Sequence, residues 1–218
     1  MNRIRRFGIL CSLILLVQLS LSAQADHIRI RTFTGMEPYG RISSRHWGSE
    51  NATKVWNASY GFLPGIEAYW MMNDRVEIGA GFQWMFSRRV FRDGGVDGET
   101  FSFIPLYAAT RINLMEVKGI DTYAAVRLGY TLFRESAEFR DIWSTETGGA
   151  LTSTTGGMYG SAAIGVKMNI FERPSTGLDF SMDAGYAFYG ASGTNASGKV
   201  YPISYQAMLV DFALDWRL

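Results

Sequence analysis

The sequence predicts an all-β fold, an eight-stranded antiparallel up-and-down β-barrel that crosses a membrane with its strands. Three observations predict it. Apolar and polar residues alternate with period two in eight segments, and only an extended strand sorts alternate side chains onto opposite faces. The connections between these segments alternate between short and long. Past the N-terminus no apolar run is long enough for a membrane helix, and a chain that enters a membrane without one must close into a barrel, which leaves no backbone edge unsatisfied.

The chain opens on an export signal. Arg3, Arg5 and Arg6 form a basic start, Phe7 to Val17 is an uncharged and largely apolar run, and Ala23-Gln24-Ala25 offers a small-residue cleavage site before Asp26. That is the pattern of a secretory signal peptide. Read instead as an uncleaved anchor, the run is too short, because a helix needs about 20 apolar residues to span the bilayer. Residues 1–25 are therefore expected to be removed, leaving 26–218 as a single barrel domain. Cys11, the only cysteine, falls in the signal, so the mature chain has no disulfide and no thiolate. The mature chain holds 18 basic and 20 acidic residues, a balance that gives no reason to expect a nucleic-acid partner.

Strand one, near Ile28 to Thr34, sets Arg29 and Arg31 on its polar face. In strand two, Phe62, Pro64, Ile66, Ala68 and Trp70 oppose Gly61, Gly65, Glu67 and Tyr69. Strand three opposes Val76, Ile78, Ala80, Phe82, Trp84 and Phe86 to Glu77, Gly79, Gly81, Gln83 and Ser87. Strand four has Ile104, Leu106, Ala108, Ile112 and Leu114 against Tyr107, Arg111 and Asn113. Strand five has Ala124, Val126, Leu128, Tyr130 and Leu132 against Tyr123, Arg127, Gly129 and Thr131. Strand six sets Ala162 to Ile170 at even positions against Ser161, Ala163, Gly165, Lys167 and Asn169. Strand seven sets Leu178 to Phe188 at even positions against Asp179, Ser181, Asp183, Gly185 and Ala187. Strand eight is the clearest: Met208, Val210, Phe212, Leu214, Trp216 and Leu218 oppose Asp211, Ala213, Asp215 and Arg217.

Asn73-Asp74, Glu116 to Asp121 and Glu172 to Thr176 read as short turns. Met36 to Lys54, Arg88 to Glu99, Glu135 to Gly156 and Gly190 to Pro202 read as long loops rich in Gly, Ser, Thr and Asn. Short periplasmic turns and longer extracellular loops are the habit of outer-membrane barrels, and an even strand number puts both termini on the periplasmic side.

Alternation alone does not say which face is outside, and a soluble secreted lipocalin-like binding barrel would put the apolar face within. Three features favour the membrane reading. The charged face is also the glycine-rich one and shares it with Tyr69, Tyr107 and Tyr123, as a narrow lumen filled by small and large side chains requires. That face is balanced, with Arg29, Arg31, Arg111, Arg127, Lys167 and Arg217 against Glu67, Glu77, Asp179, Asp183, Asp211 and Asp215. Such a set suits a buried ion-pair network, since unpaired charges are costly there. Aromatics of the apolar face gather at strand ends: Trp70 and Trp216 at the periplasmic end, and Phe62, Trp84, Phe86, Tyr130, Tyr186 and Phe188 at the other. Two such girdles mark a membrane barrel.

On these segments the chain resembles the small outer-membrane β-barrel families of Gram-negative bacteria, the OmpA-, OmpX- and PorT-like barrels. The resemblance covers nearly the whole mature chain and includes the strand Phe103-Ile104-Pro105-Leu106-Tyr107 and the closing strand Leu209 to Leu218. It implies residence in the outer membrane, contact with outer-membrane lipid, and recognition of the final strand by the barrel-assembly machinery. Many members end in Phe; this chain ends in Leu218, with Trp216 two residues earlier. A monomer is expected. The families are functionally diverse, so the resemblance speaks to place and fold more than to activity.

Catalytic and metal-binding chemistry finds little support, and no cofactor is expected. Only His27 and His46 are available, and with no mature cysteine they make no metal-ligand set. Some barrels of this size modify lipid A with a His-Ser-acid arrangement. His46, a neighbouring serine and Glu50 or Asp93 supply the residue types but match no motif spacing, and a loop histidine beside serines is more often a solvated surface group. Asp93 to Glu99 has a glycine-acid composition without the alternation of an EF-hand loop. Asn51, Asn57 and Asn195 open glycosylation triplets that arise often by chance. The lumen charges could line a porin-like path, but a lumen of eight strands is about filled by its own side chains. The expected role is structural or surface-interacting, with a small pore or hydrophobic-molecule conduit, and a lipid A-modifying enzyme, as alternatives. Trp47, Trp56, Phe139 and Trp143 are the loop aromatics available for recognition or for packing the loops.

Overall fold

A computed structural model describes residues 28–45, 53–91, 99–141, 151–173 and 176–218. The expected signal peptide, both histidines, Trp47, Glu50, Asn51, Asp93 and Trp143 lie outside the described residues. The strands are β1 (Ile28–Glu37), β2 (Gly40–Arg45), β3 (Thr53–Ala58), β4 (Gly61–Met71), β5 (Val76–Gln83), β6 (Arg88–Phe91), β7 (Thr100–Val117), β8 (Ile120–Glu135), β9 (Leu151–Arg173), β10 (Thr176–Asn195) and β11 (Val200–Arg217).

Eight of them close a ring. β1 pairs β4, β4 pairs β5, β5 pairs β7, and β7 to β11 pair in sequence order. Antiparallel pairing of β11 back onto β1, Arg29 opposite Arg217 through Met36 opposite Val210, seals the wall. The fold is an eight-stranded antiparallel transmembrane barrel.

β2, β3 and β6 are continuations of β1, β4 and β5 beyond interruptions at one height. The β1–β4 register, Glu37 opposite Gly61, carries on unchanged into β2–β3, Gly40 opposite Ala58. Against β11, however, Met36 meets Val210 and Gly40 meets Ala207, so one extra residue is inserted around Pro38. Pro38 has no N–H to give the ladder, and a bulge absorbs it. A second bulge separates β5 from β6. Phe82 lies opposite Leu106 but Arg88 lies opposite Phe101, and Phe86 and Ser87 both face outward. This corrects the expectation for Ser87: the extra residue flips the alternation, so Ser87 faces out and Arg88 faces in.

Most of the described residues in the segments expected as long loops are strand. Residues 40–45, 53–58, 88–91, 151–156, 190–195 and 200–202 extend the wall as a stem beyond the membrane band. At the opposite end the connections are tight. Lys118 and Gly119 both take positive φ, 54° and 78°, and join Val117 to its partner Ile120, the geometry of a two-residue hairpin turn that favours glycine. Asn73 caps the β4–β5 turn by accepting the amides of Arg75 and Val76, each at 2.9 Å.

Along one strand the outward row changes character. On β11 Trp216, Leu214, Phe212 and Met208 are exposed, then Gln206; on β8 Val126, Leu128, Tyr130 and Leu132 are exposed, then Arg134. The apolar part of each row spans roughly 10 residues, the length that crosses the hydrocarbon layer. Ile164, 68% exposed on the outer face of β9, stands midway along that row. Replacing it with arginine is expected to destabilise the barrel by about 2–4 kcal/mol. Arginine at exposed Ser153, on the stem of the same strand, should stay within about 0.5 kcal/mol. Urea unfolding in lipid vesicles reads both, and equal effects would contradict the assigned membrane band.

Candidate functional site

The lumen is the candidate site, and it has three layers. In the layer nearest the termini, Arg29 and Lys167 approach the mouth. Arg29 bridges Glu77 at 3.0 Å and Asp179 at 3.7 Å, and Lys167 reaches Asp121 at 3.3 Å. Arg111 contacts Glu77 at 3.3 Å and Asp215 at 3.2 Å. Its guanidinium lies between the rings of Tyr69 and Tyr123, 4.7 and 4.6 Å from their centroids, so that cation–π attraction adds to the ion pairs.

Glu67 is the hub one step further in. It accepts Nε of Arg127 at 2.6 Å, Tyr107 at 2.9 Å and Tyr69 at 3.0 Å, and faces Arg31 at 3.5 Å. Arg31 also holds Asp183 at 2.8 Å, and Arg127 reaches Asp211 at 3.2 Å. Tyr159 caps this layer by donating to Gln83 at 3.1 Å.

The large residues fit because glycines face them across the ladder. Phe33 lies opposite Gly65, and Tyr123 opposite Gly165. A Cβ at Gly65 would come within 2.3 Å of the Phe33 ring, and one at Gly165 within 2.4 Å of the Tyr123 ring. Both glycines are required by this close approach rather than by backbone conformation.

The third layer begins at the height of the bulges. Glu37 accepts Tyr189 at 2.7 Å and Tyr205 at 2.8 Å and forms an ion pair with Arg88 at 2.6 Å, while Arg88 donates to the Ser59 carbonyl at 3.0 Å. Above this pair the interior turns apolar. Phe103 packs on Phe133 (4.8 Å between centroids), Tyr189 (5.3 Å), Phe101 (5.9 Å) and Tyr205 (6.0 Å). Ile42, Trp56, Val90, Leu151 and Ile203 complete the core, and Phe139, on a helical turn at 137–141, packs on Phe101 and Phe133. The stem is thus built the opposite way round from the membrane band, with an apolar interior and a mostly polar exterior.

Of the expected lumen charges, Arg29, Arg31, Glu67, Glu77, Arg111, Arg127, Lys167, Asp179, Asp183, Asp211 and Asp215 are buried inside the barrel. Arg217 sits at the mouth, 29% exposed, against Glu172. The expected girdle residues Phe62, Trp70, Trp84, Phe86, Tyr130, Tyr186, Phe188 and Trp216 are all exposed on the outer wall. Sequence reasoning missed Glu37 and Arg88. Glu37 shares the parity of Arg29 and Arg31 and was legible by counting on; Arg88 was hidden by the bulge. Trp56 and Phe139, expected in loops, are buried in the apolar core. Asn195 is buried and caps its own turn, accepting the amides of Ser197 at 3.1 Å and Lys199 at 2.9 Å, so its triplet is a turn device. Ser43 shares a 2.8 Å hydrogen bond with Ser204, while His46, Glu50 and Asp93 lie outside the described residues.

An apolar exterior with aromatic girdles around a charged, side-chain-filled lumen defines an integral membrane β-barrel of the outer-membrane kind. One solved structure of such a barrel shares the fold, and others are similar to a lesser degree. The outer membrane protein OprG from Pseudomonas aeruginosa superposes with a TM-score of 0.55 at 12% identity, covering 88% of this chain and 96% of its own. Neisserial surface protein A does so with a TM-score of 0.46 at 12% identity, covering 88% and 97%. The outer membrane protein AlkL gives a TM-score of 0.42 at 12% identity, covering 88% of each chain. No protein-family model matches the sequence, and no curated protein matches it.

Proposed function

We propose that this chain is a sealed outer-membrane barrel whose role is structural or surface-interacting, exercised at its extracellular end rather than by conduction or catalysis. The observation that carries this reading is the closed cross-section at the third layer. Phe103, Tyr189 and Tyr205 have no accessible surface, and Glu37 and Arg88 beneath them have none either. Burial of these five side chains supports a sealed section over a small pore or conduit. The tight Asn73 and Lys118–Gly119 turns share an end with Ile28 and Leu218, which supports periplasmic termini and an extracellular stem. β11, with Trp216 ahead of Leu218, is the segment the assembly machinery would read, and the mature protein would act as a monomer in contact with outer-membrane lipid.

Two measurements test the proposal. In isolated outer membranes the protein should resist SDS until boiled and then change its apparent mass. Reconstituted in planar bilayers it should give no unitary current steps. A soluble periplasmic protein without a mass shift would overturn the membrane placement, and steady ion-selective steps would overturn the seal.

A further inference from the structure

Among the described residues of β2, β6 and β8, the exposed charges on the outer wall at the edge of the girdle are arginines. Arg41 on β2 and Arg134 on β8 are exposed just beyond the girdle. The Arg134 guanidinium lies 5.8 Å from the Trp84 ring, and that of Arg41 lies 5.3 Å from the Tyr39 ring while donating to its phenol. Among the described residues neither meets a carboxylate. Exposed Arg89 on β6 stands between them. Strand pairing sets the spacing: Arg41 lies opposite Asn57, Asn57 opposite Phe91, Arg89 opposite Thr100, and Ser102 opposite Arg134. Successive arginines are two strands apart, on the order of 10 Å.

Of the described acids at this end, most are engaged or stand off this wall. Glu37 and Glu99 are buried, Glu135 holds Arg140 and Thr154, and Glu138 and Asp141 belong to the turn that caps β8. The opposite rim is mixed in sign, with exposed Asp74, Arg75, Glu116, Lys118 and Glu172. The wall of β9 to β11 at the height of the arginines presents Gln206 and Tyr186, hydrogen-bonded to each other and uncharged.

We propose that this arginine arc binds the phosphate groups of a phosphorylated glycolipid in the outer leaflet. Guanidinium forks match phosphate oxygens in pairs. The aromatic rings beneath hold two of the forks at the boundary between hydrocarbon and headgroup, where cations on a membrane protein attract anionic lipid. Tyr60, 75% exposed, and Trp84 and Phe86 lie just below to meet the acyl and sugar junction. The inference rests on the reading that this rim faces outward.

The test uses the folded mature protein in detergent micelles, titrated with diphosphoryl lipid A, with the same lipid dephosphorylated, or with inorganic phosphate. The readout is the temperature at which the SDS-resistant band is lost. Diphosphoryl lipid A should raise that temperature in the wild type, and the other two ligands should not. The R41Q/R134Q double variant should bind the phosphorylated lipid about thirtyfold more weakly, about fivefold per arginine removed. An equal response to the dephosphorylated lipid, or equal binding by the double variant, overturns the proposal. A matching response to inorganic phosphate assigns the arc to free anions and overturns it as well. If the variant fails to fold, the wild-type comparison of the two lipids decides alone. A sealed, heat-modifiable barrel indifferent to phosphate would overturn this inference and leave the proposed function standing.

Discussion

Replacing Glu67 with alanine is expected to destabilise the barrel by about 3–5 kcal/mol, because removing one partner of a buried ion pair leaves an uncompensated charge in a low-dielectric interior. The loss falls on several groups together. Arg127 loses its 2.6 Å contact, Arg31 its 3.5 Å contact, and the phenols of Tyr107 and Tyr69 their acceptor. The midpoint of urea unfolding in lipid vesicles measures the effect. Arg217→Ala is the control at the solvent-exposed mouth, where the pair with Glu172 should be worth about 0.2–1 kcal/mol. Glu67→Gln combined with Arg127→Met should cost less than Glu67→Ala alone, since one charge of each sign leaves together and the amide oxygen can still accept the two phenols. If Glu67→Ala costs no more than Arg217→Ala, the lumen is wet and the network is no structural core.

Phe103→Ala should cost about 3–5 kcal/mol for the opposite reason, as a cavity in an apolar core. Phe103 is fully buried against Phe101, Phe133, Tyr189 and Tyr205. The variant should nevertheless stay electrically silent, because the Glu37–Arg88 pair and its two phenols still close the section beneath. The same unfolding assay and a planar bilayer recording check both halves. A large conductance from this single substitution would show that the aromatic layer alone forms the seal.

The two sites differ in how well the sequence announced them. Through the membrane band the outward face is apolar and the inward face carries charged side chains, so the alternation is at its most extreme. Asp211, Asp215, Trp216 and Leu214 sort themselves by parity alone. In the stem the contrast weakens and reverses. Phe101, Phe103, Tyr189 and Tyr205 keep the inward parity of Arg111, Asp183 and Asp211, yet they are apolar and do not continue the charged row, and beyond them the Ser-, Thr- and Gly-rich segments read as loop. Parity counted onward from the charged residues would have reached them, and Glu37 too. It would have failed at Arg88, because the bulge between Gln83 and Arg88 follows from how many residues face each other across two strands, a property no single segment displays. Which charges pair with which was likewise hidden, since the partners come from strands distant in the chain.

That distance governs the order in which the molecule can be made. Arg31 finds Asp183 only 152 residues later, and Arg111 finds Asp215 after 104. Until β10 and β11 are in place, the early strands expose arginines whose counter-charges do not yet exist beside them, and a partial barrel carries them at the cost of an unpaired buried ion. Non-local contacts of this kind make folding slow. They also make it nearly all-or-none: the last strand closes the wall and, in the same step, neutralises what the first strand brought, so a truncated chain has no stable halfway form to occupy.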